Sequence, residues 1–177
     1  MSLTLSYRNW SFDADLQIVH ADVLLEIGGE AVVDEPLCVD VGLPALLLSA
    51  AEDVRPDRWA GVDAWEKVPF FICGCGDPEC RGFSFIATHR KDMSLIELQE
   101  VEERQDAPPR PLAEYEVDRE EYARQVKEIG ETFLSFVEPL DYRPLYGDTV
   151  ATVRRLLAKL ADMYPGLGEA AERSRRV

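Results

Sequence analysis

The chain has 177 residues, 46% of them hydrophobic and 30% charged, the composition of a soluble globular domain with enough apolar material for a core. Nineteen Lys and Arg face thirty-four Asp and Glu, and the formal net charge of −15 disfavours nucleic acid and anionic membranes as partners while favouring a basic protein. No apolar run approaches the ~20 residues of a membrane span, and the N-terminus lacks a basic stretch followed by an apolar core, so the expected location is cytoplasmic.

Leu3, Leu5 and Tyr7 alternate with polar neighbours, which predicts a half-buried strand. The apolar-rich run from Leu16 to Ile27 leads into Gly28-Gly29 and then Ala31 to Val33, a hairpin signal. Cys38 to Val41 reads as a short extended piece. Pro44 falls in the first turn of a helix expected over Leu43 to Glu52 and stopped by Pro56. Arg55 to Trp65 reads as a loop.

A meander follows, with strands over Val68 to Cys75, Gly82 to His89 and Ser94 to Val101 and turns at Gly76 to Glu79 and Arg90 to Asp92. The charged, proline-containing stretch Glu102 to Arg110 is expected to be a loop, and Leu112 to Val117 a returning strand. Asp118 with Glu121 forms a capping-box variant before a helix with an apolar stripe of Tyr122, Val126, Ile129, Phe133, Phe136 and Val137. Gly147 or Asp148 caps a last helix, with its stripe at Val150, Val153, Leu156, Leu157, Leu160 and Met163 and its end at Pro165-Gly166. The expected fold is α+β. A mainly antiparallel sheet, hairpin plus meander, carries a short helix after the first hairpin and two C-terminal amphipathic helices on one face. A single domain over 1–166 would end in a polar tail, 167–177.

Three of the four cysteines lie in the run from Cys73 to Cys80. If Gly76 to Glu79 is a four-residue loop, Cys75 opposes Cys80 and Cys73 opposes Gly82, so strand alternation turns all three thiols to one face. Three convergent thiols are the ligands zinc prefers, but Cys-x-Cys departs from the Cys-x2-Cys of zinc ribbons and knuckles, and a fourth ligand is not evident. His89 lies nine residues beyond Cys80, on the opposite parity and about 30 Å along a straight strand. Cys38, His20 or a carboxylate would have to arrive through the fold. A Cys75–Cys80 disulfide would be strained, and a redox thiol would need more positive charge than Arg81 supplies beside Asp77 and Glu79. The simplest reading is a packed turn, relaxed by Gly74, Gly76 and Gly82, with the cysteines as small hydrophobes and no cofactor.

The segment Pro69 to Gly82, an apolar strand followed by Cys-x-Cys-Gly-x-x-x-Cys-x-Gly, resembles a hairpin of uncharacterised bacterial proteins. The likeness covers these fourteen residues and comes with no established activity, so it implies no catalytic residue. By analogy with other small acidic bacterial proteins it implies an immunity or regulatory role.

His20 and His89 are the only histidines, and no nucleophile elbow or phosphate-binding loop accompanies them. Glu97, Glu100, Glu102, Glu103 and Asp106 form the densest acidic group, either a solvated strand edge or a face for a basic partner. Trp59 and Trp65 with Arg58 are the residues suited to an interface, although two indoles serve equally well as caps on the core. The sequence therefore points to a non-enzymatic protein-binding domain. The alternatives are a small zinc protein using Cys73, Cys75 and Cys80 and, behind it, a thiol-dependent enzyme.

Overall fold

The computed structural model describes residues 1–167 apart from 62, 76, 91–93 and 145–146. The fold is α+β, with two antiparallel sheets instead of one: a three-stranded sheet of order β1-β2-β3 and a four-stranded sheet of order β4-β5-β6-β7. The first contains β1 (Leu3–Asp13), β2 (Ile18–Ile27) and β3 (Glu30–Cys38). The second contains β4 (Phe71–Ile72), β5 (Gly82–Arg90), β6 (Leu95–Arg104) and β7 (Ala107–Asp118). The helices are α1 (Leu43–Ser49), α2 (Arg119–Val137) and α3 (Thr149–Met163). All ten elements contribute to one buried apolar cluster.

In the first hairpin Gly28 and Gly29 take φ of +63° and +86°, conformations glycine adopts without steric cost. Register slips in β1 between Arg8 and Ser11, where Asn9 has φ of +52° and bonds Asp22 at 2.7 Å. That bulge re-aims Trp10, which lies between Tyr7 and Phe136 and so joins β1 to α2. The outer edge of β1 is closed by a side chain: buried Gln125 of α2 donates to the Leu3 carbonyl at 2.9 Å and accepts from the Leu5 amide. The backbone groups of a strand edge are thus satisfied without another strand.

Helix α1 is a short, almost wholly buried peg. It ends at Ser49, earlier than the expected Glu52, through tight turns in which the amides of Ala50 and Ala51 reach Leu47 and Leu48. Its C-terminal carbonyls need partners, and other elements supply them. His89 Nε2 meets the Ser49 carbonyl at 2.9 Å, and the Tyr164 hydroxyl donates to the Ala50 carbonyl at 3.1 Å. The hydroxyls of Ser49 and buried Tyr122 meet at 2.7 Å. Burial pushes the Tyr122 phenol far above its ordinary value, the Ser49 hydroxyl opposing.

Three further boundaries depart from expectation. Cys38 closes β3 and Asp40 to Gly42 turn into α1, so Cys38 to Val41 is not one extended piece. The strand expected over Val68 to Cys75 shrinks to Phe71–Ile72 because the chain turns at Gly74 and Cys75. The expected loop Glu102 to Arg110 is mostly strand, split between β6 and β7 by a turn at Gln105-Asp106. Pro108, Pro109 and Pro111 are tolerated because β7 is the outermost strand, where a missing N–H disrupts no further ladder. The proposed helix stripes are buried at Tyr122, Val126, Ile129, Phe133 and Val137 and at Val153, Leu156, Leu157 and Leu160, while Met163 is exposed. Asp118 and Asp148 are the caps, accepting from the amides of Glu121 and Ala151 at 2.9 Å each. Turn residues Gly76, Lys91 and Asp92 and nearly all of the expected tail lie outside the described residues.

Gly42 lies against the backbone of Pro69 and Phe70, and a Cβ there would come within 2.2 Å of the Phe70 carbonyl oxygen. Gly42→Ala is expected to cost about 3 kcal/mol, since a backbone oxygen cannot move aside as a side chain can. The drop in Tm would be on the order of 10 °C by thermal denaturation. Gly61→Ala, where a Cβ meets nothing within 4 Å, should leave Tm unchanged.

Candidate metal centre

The site begins where β4 stops. Pairing of Phe71 with Phe83 and Ile72 with Gly82 sets Cys73 across from Arg81, whose carbonyl accepts from the Cys73 amide at 2.9 Å. This register is one residue off the expected pairing of Cys73 with Gly82. Cys75 and Cys80 lie in turn and bend, outside the strands. The Asp77 carboxylate accepts from the Glu79 amide at 2.9 Å, and the Asp77 carbonyl from the Cys80 amide at 3.1 Å, folding the loop back on itself. The three thiols meet through this turn and not through strand alternation: their sulfurs lie within 4.8 Å of one another. A tetrahedral zinc with Zn–S of ~2.3 Å holds its sulfurs about 3.8 Å apart, so a small contraction would close the set.

All four cysteines are free thiols. Cys75 is exposed, and its pKa is lowered, first by the Asp77 amide and then by the neighbouring Cys80 and Cys73 thiols. Cys80 is pushed up to about 11 by the thiols of Cys75 and Cys73.

Arg58 secures the loop from below. Its Nη1 donates to the Pro78 carbonyl at 3.3 Å and approaches the Cys80 carbonyl at 3.5 Å. Its Nη2 donates to Ser84 at 3.0 Å, and Glu103 accepts from its Nε at 3.3 Å and its amide at 2.8 Å. The pair is largely buried, with side-chain exposures of 14% for Arg58 and 4% for Glu103. Arg81 lies above the Phe83 ring and pairs with Glu35 of β3. Nothing in the spacing of Arg58, twenty-two residues before Cys80, announced its place under this loop.

The other sequence-selected residues are dispersed. Glu97 pairs with Arg90, and Glu102 with Arg110 at 2.9 Å and Arg104 at 3.6 Å. Glu100 is half-buried, its carboxyl raised by burial and then by Glu30. Trp65 packs on the core beneath the Arg155 guanidinium, and Trp59 is half-buried in the loop. His89 is engaged at the end of α1, away from the thiols, whereas His20 pairs directly across from Cys38 between β2 and β3.

A cavity of about 160 Å³ adjoins the hairpin, walled by Asp40, Pro44, Arg58, Trp65, Cys73 and Tyr142 among others. Neither histidine lines it, so it does not join a thiol to an imidazole base. Asp40 is 5% exposed; its Oδ2 accepts from Tyr142 at 2.8 Å and its Oδ1 is buried without a hydrogen-bond partner. The arrangement can bind a thiophilic cation in the loop.

No protein family, curated protein or solved structure matches the chain.

Glu103→Gln leaves the Arg58 charge without its buried counterion, and removal of one partner of such a pair costs about 3–5 kcal/mol. Denaturant unfolding should show that loss. Reaction of Cys73 and Cys80 with a thiol reagent in the folded protein should accelerate as the loop loosens.

Proposed function

We propose that the chain is a small zinc-binding protein whose metal, held by Cys73, Cys75 and Cys80, stabilises the loop between β4 and β5. The observation carrying this reading is the convergence of three free thiols from one eight-residue stretch to within 4.8 Å. Thiolate is the donor zinc favours, and a turn that already gathers the donors has little left to order on binding. Unpaired cysteines accord with a reducing, cytoplasmic setting.

A second reading concerns the surface and is compatible with the first: a non-enzymatic domain that binds a basic protein in an immunity or regulatory role. It is supported by the net charge of −15 and by the engagement of the cations. Arg58, Arg81, Arg90, Arg110, Arg124, Lys127 and Lys159 each pair with an acid of their own chain. The unmatched acids would steer a cationic partner.

Elemental analysis of protein purified without chelators is expected to give about one zinc per chain. Less than about a tenth of an equivalent would end the reading, since a site of this affinity class does not empty on dilution. Acidification from about pH 7 to 5 should release the metal, because each thiol must give up its proton to bind and regains it as pH falls. A chelating dye reports that release directly. For the second reading, polylysine and a small basic protein should bind more weakly as salt rises past the ~8 Å screening length of physiological buffer. Asp106→Lys, at an exposed acid that takes no part in these ion pairs, should weaken both. Absence of binding, or binding indifferent to salt, would count against an electrostatic partner.

A further inference from the structure

The fourth cysteine lies where a fourth ligand would be needed. Cys38 ends β3, thirty-five residues before Cys73. It is 7% exposed yet takes no part in the apolar cluster that holds its neighbours Leu37 and Val39. The Cys38 side chain lies over Gly74 of the hairpin loop, between Cys73 and Cys75 in sequence. A Cβ on Gly74 would lie 3.1 Å from Cys38 Cβ and 3.3 Å from its Sγ, so glycine at 74 is what lets the loop settle on this sulfur. Cys38 therefore lies beside the loop that holds the other three cysteines, outside their 4.8 Å group in this structure, although strand β3 and the hairpin belong to different sheets.

We propose that Cys38 is the fourth ligand of the zinc held by Cys73, Cys75 and Cys80, making a closed tetrathiolate centre that ties β3 of one sheet to the β4–β5 hairpin of the other. This rests on the zinc reading of the hairpin and adds to it the identity of the last ligand. One Zn²⁺ displaces four protons from four thiols to solvent, and the resulting centre carries two negative charges. With all four positions filled by protein, none is open for water or substrate, so the centre is structural and not hydrolytic.

The test is the sulfur count around zinc by X-ray absorption, with affinity from competition against a chelator, on the full chain and on Cys38→Ser. The expected result is four sulfurs at about 2.3 Å in the unmodified protein. Cys38→Ser should give three sulfurs with one lighter atom, and affinity lowered by more than about a hundredfold, beyond what loss of an outer-shell partner costs. Three sulfurs in the unmodified protein, or unchanged affinity in Cys38→Ser, would overturn the role of Cys38 and leave the three-thiol reading intact. A protein that takes up no zinc overturns both. If Cys38→Ser does not fold, the sulfur count of the unmodified chain decides alone.

Discussion

The structure depends on one close approach of two backbones. Residues 38–42 and 69–74 run against each other at a separation that leaves no room for a Cβ at Gly42 and little at Gly74. Gly42 touches the Phe70 carbonyl, and Gly74 touches Cys38 and Val41. Two consequences follow from the same contact. The chain leaving β3 is directed into α1, whose buried leucines lie at the centre of the core. The chain leaving β4 is forced to turn after two residues, and that turn gathers the thiols. Core and candidate centre are thus positioned by a single constraint, and a substitution that relaxes it would disturb both together.

Much of the fold could be read from the sequence because it depends on local rules. Gly28-Gly29 marked its hairpin, Asp118 its cap, and the spacing of Tyr122, Val126, Ile129 and Phe133 the buried face of α2. Those features are set by neighbours three or four residues away. What escaped was set by distant partners. The prolines of β7 read as a loop because whether a strand is outermost is a property of the whole sheet. The division into two sheets likewise depends on which strands fail to pair.

The candidate centre shows the same division. Cys73, Cys75 and Cys80 stood out through their proximity in sequence, but strand parity was the wrong reason for their meeting, since the loop turns where a straight strand was expected. Arg58 and Cys38 reach the loop only through tertiary structure. Arg58 was conspicuous as a candidate interface residue, yet its guanidinium is engaged with Glu103, Ser84 and a loop carbonyl. A buried, hydrogen-bonded cation of this kind fixes geometry more than it adds stability, because its desolvation offsets much of its attraction.

The run of prolines in β7 bears on how a partner could be met. A sheet commonly recruits an extended peptide by offering an unpaired strand edge, through β-augmentation. Here the outermost strand of the larger sheet lacks donors at Pro108, Pro109 and Pro111, and the β1 edge of the smaller one is already occupied at Leu3 and Leu5 by Gln125. Neither edge presents the regular row of amides and carbonyls that a guest strand requires. Recognition at these margins would fall to side chains, which favours surface charge over backbone pairing and guards the same edges against runaway self-association.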